Sequence, residues 1–271
     1  MYPVLFKIGD VPVYSFGVMI VLGITAGTFI LYKEALRKNL DIYFTLEVVL
    51  LAAICEVVGG KILFLFEHRQ LFLNDPLFMT FSPAGSTFYG GFILGLIVFY
   101  IYLKKKKIPF LFAADTIAPS LAIMYAFGRI GCHLSGDGDY GIPTSLPWGV
   151  NYEHGTMPPS IMFRGNEIAQ SYPNGIVPDN TLLHPTSVYE AIAALIIFYV
   201  LWRLRKKDWA NGMLFMLYLI LSSTSRFFVE FIRLNPKIIL GLTEAQIISV
   251  VFGSVGFYGF YRLKHFKQLS G

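Results

Sequence analysis

The fold is decided by one stretch of the sequence, residues 111–141, which reads LFAADTIAPSLAIMYAFGRIGCHLSGDGDYG. Its first part is apolar and approaches the roughly 20 residues that a transmembrane helix needs. The second part begins with Gly128 and Arg129, and an arginine at such a place costs about 2.5–3.5 kcal/mol on insertion scales unless a partner or water receives it. We therefore predict a membrane helix that finishes at Arg129 beside an anionic group. The alternative is an interfacial arginine that reaches water.

The residues after Arg129 are rich in glycine and aspartate. Glycine permits backbone conformations that other residues avoid, so the sequence predicts a sharp turn with room for another group to approach. Asp137 and Asp139 supply carboxylates within the same stretch.

The composition is that of an integral membrane protein. Hydrophobic residues make up 55% of the chain and charged residues 14%, with a mean hydropathy of +0.59. So few charges cannot cover a soluble globule of this size. The basic residues fall in short runs, which gives no support to nucleic-acid binding. Cys55 and Cys132 lack metal-ligand spacing, so we expect no disulfide framework and no metal site.

Seven apolar stretches approach the length of a membrane span. They are residues 14–32, 43–66, 87–103, 111–127, 186–202, 212–232 and 245–261. Clusters of lysine and arginine follow the first, third, fifth and seventh stretches, and the positive-inside rule makes that side cytoplasmic. We expect an all-α polytopic membrane protein with about seven transmembrane helices. Its N-terminus is outside, its C-terminus is cytoplasmic, and residues 1–271 form a single integral membrane domain.

The connection between the fourth and fifth stretches, residues 132–185, is long, polar and rich in proline and glycine. Loops of this length are usually functional or disordered. Its aromatic residues, which include Trp148 and Tyr152, favour a small folded cap. The predicted topology places this cap on the periplasmic face.

Ionisable residues inside apolar stretches imply a partner, a cavity or a function. Lys61 lies in the second stretch. In the sixth, Arg226 and Glu230 are four residues apart on one helical face, and Arg233 continues that face. One interpretation is an internal ion pair plus an interfacial arginine. The other is a phosphate site, because the arginines outnumber the acids in these stretches and guanidinium binds phosphate bidentately.

Two further groups stand where stretches begin. Tyr89, Gly90 and Gly91 begin the third, where the glycines serve either close helix packing or the approach of an anion to amide groups. Tyr89 is either functional or an interfacial anchor. His184, Tyr189 and Glu190 surround the start of the fifth and are interpreted as a cluster of proton-handling groups. The alternatives are a loop histidine and a buried hydrogen bond of Tyr189.

Together these motifs resemble the prolipoprotein diacylglyceryl transferase family. The resemblance runs through residues 15–17, 59–61, 89–91 and 115–119, the signature 128–131 with Gly136, residues 184–186, 189–190 and 246–247, and Arg226, Glu230 and Arg233. It implies a multi-pass enzyme of the bacterial inner membrane. Such an enzyme moves a diacylglyceryl group from phosphatidylglycerol to the lipobox cysteine of a preprolipoprotein signal peptide, forming a thioether and releasing glycerol phosphate, without a cofactor or metal.

The resemblance also implies roles for single residues. Arg129 and Arg226 hold the phosphate, and Tyr89 and His184 join them as catalytic groups. The implied substrate-binding residues are Lys61, Gly90, Gly91, Asp137, Tyr189, Glu190, Glu230 and Arg233.

The sequence departs from the family pattern at several of these positions. Tyr89 stands where the family commonly has a histidine, Lys61 where it often has arginine, and Cys132 where asparagine is usual. Asp137 replaces a glutamate and is followed by an apparent one-residue insertion before Gly141. Either Tyr89 positions the lipid or is ionised beside an arginine, or another group such as His133 or His184 assists. The rival functions are a small anion or lipid-headgroup transporter and a lipid-binding relative without catalysis.

Overall fold

The structure, a computed structural model, describes residues 1–82, 85 and 87–270 and is mostly helical. Long helices lie at the apolar stretches singled out above. They are α1 (Ser15–Arg37), α2 (Tyr43–Glu67), α5 (Phe88–Lys106), α6 (Phe110–Ser135), α8 (Thr186–Leu204), α9 (Met213–Val229) and α10 (Glu244–Ser270). Short helices lie between them: α3 (Arg69–Asn74), α4 (Pro76–Phe81), α7 (Pro159–Met162) and the 3-10 turns Glu167–Ser171, Pro173–Gly175 and Glu230–Ile232.

Five helices of the described chain are long and apolar enough to cross a membrane. They are Ser15–Arg37, Tyr43–Glu67, Phe110–Ser135, Thr186–Leu204 and the stretch Met213–Ile232. This agrees with a membrane protein built from helices. Crossing by α5 and α10, and with it the seven-span topology, stays a prediction.

The structure also contains short antiparallel strand pairs that the all-α prediction did not include. The strands are β1 (Val4–Ile8), β2 (Val11–Tyr14), β3 (Val150–Asn151), β4 (Leu182–Leu183), β5 (Lys237–Ile239) and β6 (Leu242–Thr243). They pair as β1 with β2, β3 with β4, and β5 with β6. Most are too short to show an alternating pattern, so sequence periodicity does not reveal them.

Helix α6 continues beyond the predicted end of its apolar stretch. Arg129 lies inside this helix, so the predicted finish at Arg129 is wrong, and the predicted turn comes only after Ser135. Gly131 serves packing instead, because a Cβ atom there would lie 3.1 Å from the Met19 Cβ of α1. The chain turns only at Gly136 and Gly138, whose φ angles of 60° and 93° belong to the left-handed region that favours glycine.

The chain divides into two compact units. The first unit is Met1–Ile30 with Ile117–Gly271, and the second is Leu31–Thr116. In the first, α6, α8 and α9 share a buried apolar core formed by Ala118, Ala122, Ile197, Leu201 and Leu214. The connection between α6 and α8 has a core of its own, formed by Tyr140, Tyr152, Phe163, Ala169, Val177 and Leu183. In the second unit, α2 packs along α5.

Candidate active site

The centre of the candidate site is Glu190, in the second turn of α8. Its side chain is only 1% exposed and contacts arginines from three parts of the chain. Oε1 lies 2.6 Å from Nη1 of Arg226, while Oε2 lies 3.0 Å from Nη1 of Arg233 and 3.4 Å from Nε of Arg129. The Tyr125 hydroxyl donates a further hydrogen bond to Oε1 at 2.7 Å. One buried carboxylate thus brings together α6, α8, α9 and the turn that follows α9.

A second carboxylate, Asp139, reaches the arginines from the loop after α6. It pairs with both Arg129 and Arg233. Its backbone carbonyl accepts hydrogen bonds from the hydroxyls of Thr186 at 2.7 Å and Ser187 at 2.6 Å. These two hydroxyls stand at the start of α8, so the loop is fixed to the helix that carries Glu190.

The third carboxylate, Glu230, belongs to the turn that ends α9. Its Oε2 lies 3.0 Å from Nη2 of Arg226, one helical turn before it, and 3.8 Å from Nε of Arg233. The ion pair between Arg226 and Glu230 confirms the structural interpretation of their spacing. We call the six charged residues Arg129, Arg226, Arg233, Asp139, Glu190 and Glu230 the arginine cluster.

The arginine cluster is balanced in charge, which corrects one expectation. The sequence predicted arginines in excess of nearby acids, but three carboxylates face three guanidinium groups. Asp139 and Glu190 come from outside the stretch that carries Arg226, so a search along that stretch could not count them. Burying these arginines without partners would cost free energy, and the carboxylates offset that cost.

The histidine predicted to handle protons lies in a separate hydrogen-bonded group beside the arginine cluster. His184 Nδ1 is 3.2 Å from the Tyr189 hydroxyl, which also accepts a hydrogen bond from the indole nitrogen of Trp148 at 2.8 Å. The two structural alternatives agree with this arrangement. Tyr189 makes side-chain hydrogen bonds, and His184 lies in the loop before α8.

Four further predicted residues, Lys61, Tyr89, Gly90 and Gly91, belong to the second compact unit. Gly90 packs against α2 so closely that a Cβ atom would lie 2.2 Å from the Gly59 carbonyl oxygen, and one on Gly91 would lie 2.1 Å from Glu56 Oε2. Both glycines therefore serve close helix packing. Lys61 donates to the Ser82 carbonyl at 2.8 Å, and Tyr89 is 47% exposed at the start of α5. Substrate roles for these four residues stay predictions.

Comparison with known proteins places this architecture in a family. The family model described as prolipoprotein diacylglyceryl transferase matches residues 3–262. The chain belongs to the prolipoprotein diacylglyceryl transferase family. It is similar to the phosphatidylglycerol–prolipoprotein diacylglyceryl transferase of Clostridium tetani, with 33% identity over 96% of this chain and 97% of that protein. A second relative, the protein numbered 2 under that name in Clostridium perfringens, is 30% identical over 98% of this chain and 97% of its own length.

In this member of the diacylglyceryl transferase family, the pKa values of the neighbouring residues Asp137 and Asp139 are shifted in opposite directions. Burial alone would raise the pKa of Asp139, but the charges of Arg233 and Arg129 outweigh it and lower that pKa below its ordinary value. Burial, together with the charge of Asp139, raises the pKa of Asp137. Among the ion pairs of the described residues, Asp137 takes part in none. Asp139 is therefore the structural partner of the arginines. The substrate-binding role that the resemblance implies for Asp137 stays a prediction.

Cys132, Asp137 and Asp139 bring ligand atoms within 4.8 Å of one another, a spacing that a metal ion could bridge. Asp139 already pairs with Arg129 and Arg233, so a cation there would meet two guanidinium groups. These charges oppose a metal, and the expectation that this diacylglyceryl transferase family member works without one stays a prediction.

Two contributors were missed at the sequence level. Tyr125 lies one turn before Arg129, and the Arg129 guanidinium carbon stands 4.9 Å from the centre of its ring. The four-residue spacing of Tyr125 and Arg129 is visible in the sequence. It carries no signal of its own, because a tyrosine is ordinary in an apolar helix. Asn235 donates a hydrogen bond to Glu230 from beyond the end of α9, where no motif marked it.

Proposed function

We propose that this protein transfers a diacylglyceryl group from phosphatidylglycerol to the lipobox cysteine thiol of a preprolipoprotein, forming a thioether and releasing glycerol phosphate. Membership of the family and the names of the relatives support this proposal. The structural observation that carries it is the convergence of Arg129 and Arg226, from two separate helices, on the buried carboxylate of Glu190.

The arginine cluster can bind a phosphate without dissolving its ion pairs. A guanidinium group has five N–H donors, and the ion pairs of Arg129 and Arg226 occupy only some of them. The side chains of Arg129 and Arg226 are 17% and 24% exposed, whereas those of Glu190 and Glu230 are at most 1% exposed. The carboxylates of Glu190 and Glu230 therefore lie behind the arginines and hold them, while Asp139 pairs with Arg129 from the more exposed side. The guanidinium donors that these pairs leave over are those we assign to phosphate oxygens.

The reaction forms a bond between the cysteine sulfur and the terminal glycerol carbon of the lipid, and breaks the bond between that carbon and a phosphate oxygen. Negative charge gathers on the phosphate as this bond breaks. Fixed guanidinium groups in a water-poor site stabilise such charge strongly, and removal of one comparable donor in other enzymes costs about 10²- to 10³-fold in rate. The bonding electrons leave with the phosphate of the released glycerol phosphate.

The thiol must also lose its proton. A cysteine thiol has an ordinary pKa of about 8.5, so a base or polarising group is needed near neutral pH. We propose that Tyr89 and His184 both act in catalysis, and that Tyr89 either orients the lipid or takes part in the transfer of this proton. Asp137, Lys61, Gly90 and Gly91 complete the proposed substrate contacts, with Tyr189, Glu190, Glu230 and Arg233 supporting the phosphate.

The proposed setting is the bacterial inner membrane. Basic clusters follow alternate apolar stretches, and the positive-inside rule places them in the cytoplasm. We therefore propose seven spans with an external N-terminus and a cytoplasmic C-terminus. In this topology residues 132–185 form a periplasmic cap. The N-terminal ends of α5 and α8, with Tyr89 and Thr186, then belong to the periplasmic side, where a secreted precursor presents its cysteine.

The direct test uses purified protein with phosphatidylglycerol and a lipobox peptide. The proposal predicts a peptide mass increased by one diacylglyceryl group and an equal amount of released glycerol phosphate. A peptide with serine in place of the cysteine is the control and stays unmodified. Binding of the lipid without an adduct would instead identify a transporter or a lipid-binding relative and would refute the transferase.

A further inference from the structure

The loop that carries Trp148 is fixed beside the start of α8. The Thr144 amide donates to the Leu182 carbonyl at 2.9 Å, and Val150 pairs with Leu183 in the β3–β4 ladder. Both ends of the loop are thus attached to the two residues that directly precede His184. Within the loop, the Gly149 amide donates to the Leu146 carbonyl at 2.9 Å and closes a turn around Trp148.

This loop directs the indole of Trp148 at a single polar atom. Its Nε1 donates to the Tyr189 hydroxyl at 2.8 Å, although the side chain is 56% exposed. An indole N–H can only donate, so the tyrosine oxygen is the acceptor. The Tyr189 hydroxyl proton is then available for a second hydrogen bond, and His184 Nδ1 lies 3.2 Å from the hydroxyl oxygen.

The donors and acceptors of this group favour one tautomer of His184. If Nδ1 carried the proton, the tyrosine oxygen would accept two N–H groups and its own proton would have no acceptor among the described residues. If Nδ1 accepts the tyrosine proton, every group in the chain from Trp148 to His184 is satisfied. A neutral His184 then carries its proton on Nε2.

We propose that Trp148 is a positioning residue that acts through Tyr189 to keep His184 in the tautomer protonated at Nε2, which offers the substrate a hydrogen-bond donor. This inference rests on the proposed transferase function. It concerns the proton transfers of that reaction, for which the base is not yet assigned. A donor at Nε2 suits the phosphate oxygens of the leaving group. It does not suit removal of the thiol proton, so His184 assists departure and the base is another group.

The first test is nitrogen NMR of the full chain labelled with ¹⁵N-histidine. The chain has 5 histidines, and loss of one pair of ring-nitrogen signals in His184→Gln assigns the site. The proposal predicts a protonated Nε2 and an unprotonated Nδ1 at neutral pH, with a shift toward mixed tautomers in Trp148→Phe. A protonated Nδ1 in the unaltered protein would overturn it, whether or not the protein is a transferase.

The second test is kinetic. Trp148→Phe keeps the ring and removes the donor, and we expect kcat to fall about three- to tenfold with little change in KM, as for loss of one neutral hydrogen bond. Trp209→Phe, at another tryptophan, is the matched control and should match the unaltered protein.

A double variant separates positioning from simple structural damage. Because Trp148 acts through Tyr189, Trp148→Phe combined with Tyr189→Phe should be no slower than Tyr189→Phe alone. Rate losses that multiply, or a Trp148→Phe variant as fast as the Trp209→Phe control, would overturn the proposal. If the unaltered protein forms no diacylglyceryl adduct, the transferase function itself has failed, and the NMR result still decides the tautomer.

Discussion

The arginine cluster and the contact between α2 and α5 hold their helices together in opposite ways. In the cluster, long charged side chains from distant parts of the chain meet at Glu190, and each pairing depends on the others. In the α2–α5 contact, Gly59 and Gly90 have no side chains, so the two backbones approach directly. The first region presents guanidinium donors and charge, whereas the second brings two helix backbones together without side chains. The two kinds of contact are therefore expected to respond differently to substitution.

The largest effect is expected from Glu190→Gln. This change removes a buried charge shared by three arginines, and breaking a buried ion pair from one side costs about 3–5 kcal/mol. Thermal unfolding in detergent should show a large loss of stability. Glu153→Gln, at an exposed residue, is the control and should unfold at the temperature of the unaltered protein. Equal stability of both variants would mean that Glu190 does not organise the cluster.

The packing region is tested by Gly90→Ala. The new methyl group would lie 2.2 Å from the Gly59 carbonyl oxygen, and overpacking of this kind typically costs about 1–3 kcal/mol. Gly95→Ala on the same helix is the matched control, because its methyl group would lie 3.8 Å from Cys55 Cβ, an ordinary contact. Gly90→Ala should lower the unfolding temperature while Gly95→Ala keeps or raises it. The reverse order would show that α2 and α5 do not approach as described.

Tyr89 tests whether the start of α5 contributes chemistry as well as packing. We expect Tyr89→Phe to lose most transfer activity, on the order of tenfold or more if the hydroxyl acts as a donor or in proton transfer. Tyr89→His should retain some, because the family resemblance implies a histidine at this position. Full activity in the phenylalanine variant, measured by peptide mass, would assign Tyr89 to anchoring alone.

The smallest effects concern the two aspartates. The lowered pKa of Asp139 gives stability that is present above the ordinary carboxyl value of about 3.9 and is lost as pH falls through the lowered value. Asp139→Asn should therefore be less stable near neutral pH and lose less stability on acidification. The raised pKa of Asp137 has the opposite sign, so Asp137→Asn should be as stable as the unaltered protein or slightly more so at neutral pH. Unfolding temperatures between pH 3 and 7 compare the two, and identical profiles would contradict their different roles.

The sequence predicts most of the helices because apolar length is a local property. It also singles out Arg129 and Arg226, because each is costly to bury without a partner, and Glu190 through the cluster of polar groups at the start of the fifth stretch. It does not predict that α6 continues through Gly131 to Ser135, since that depends on packing against α1.

The choice of Asp139 over Asp137 is likewise beyond the sequence. The two aspartates follow the left-handed turns at Gly136 and Gly138, and the backbone of Asp139 is fixed by hydrogen bonds from Thr186 and Ser187. The charge balance of the arginine cluster could not be predicted from the sequence either, because its residues lie far apart in the chain and meet only in the fold.

The measurement that tests the account most directly is the rate of glycerol phosphate release by Arg129→Ala, Arg226→Ala and the double variant. Arg164→Ala, at an exposed arginine, is the control for loss of charge. If both guanidinium groups hold one phosphate, each single variant should lose about 10²-fold or more, and the double variant should be little worse than the poorer single one. A normal rate in either single variant that remains folded would contradict a shared phosphate site.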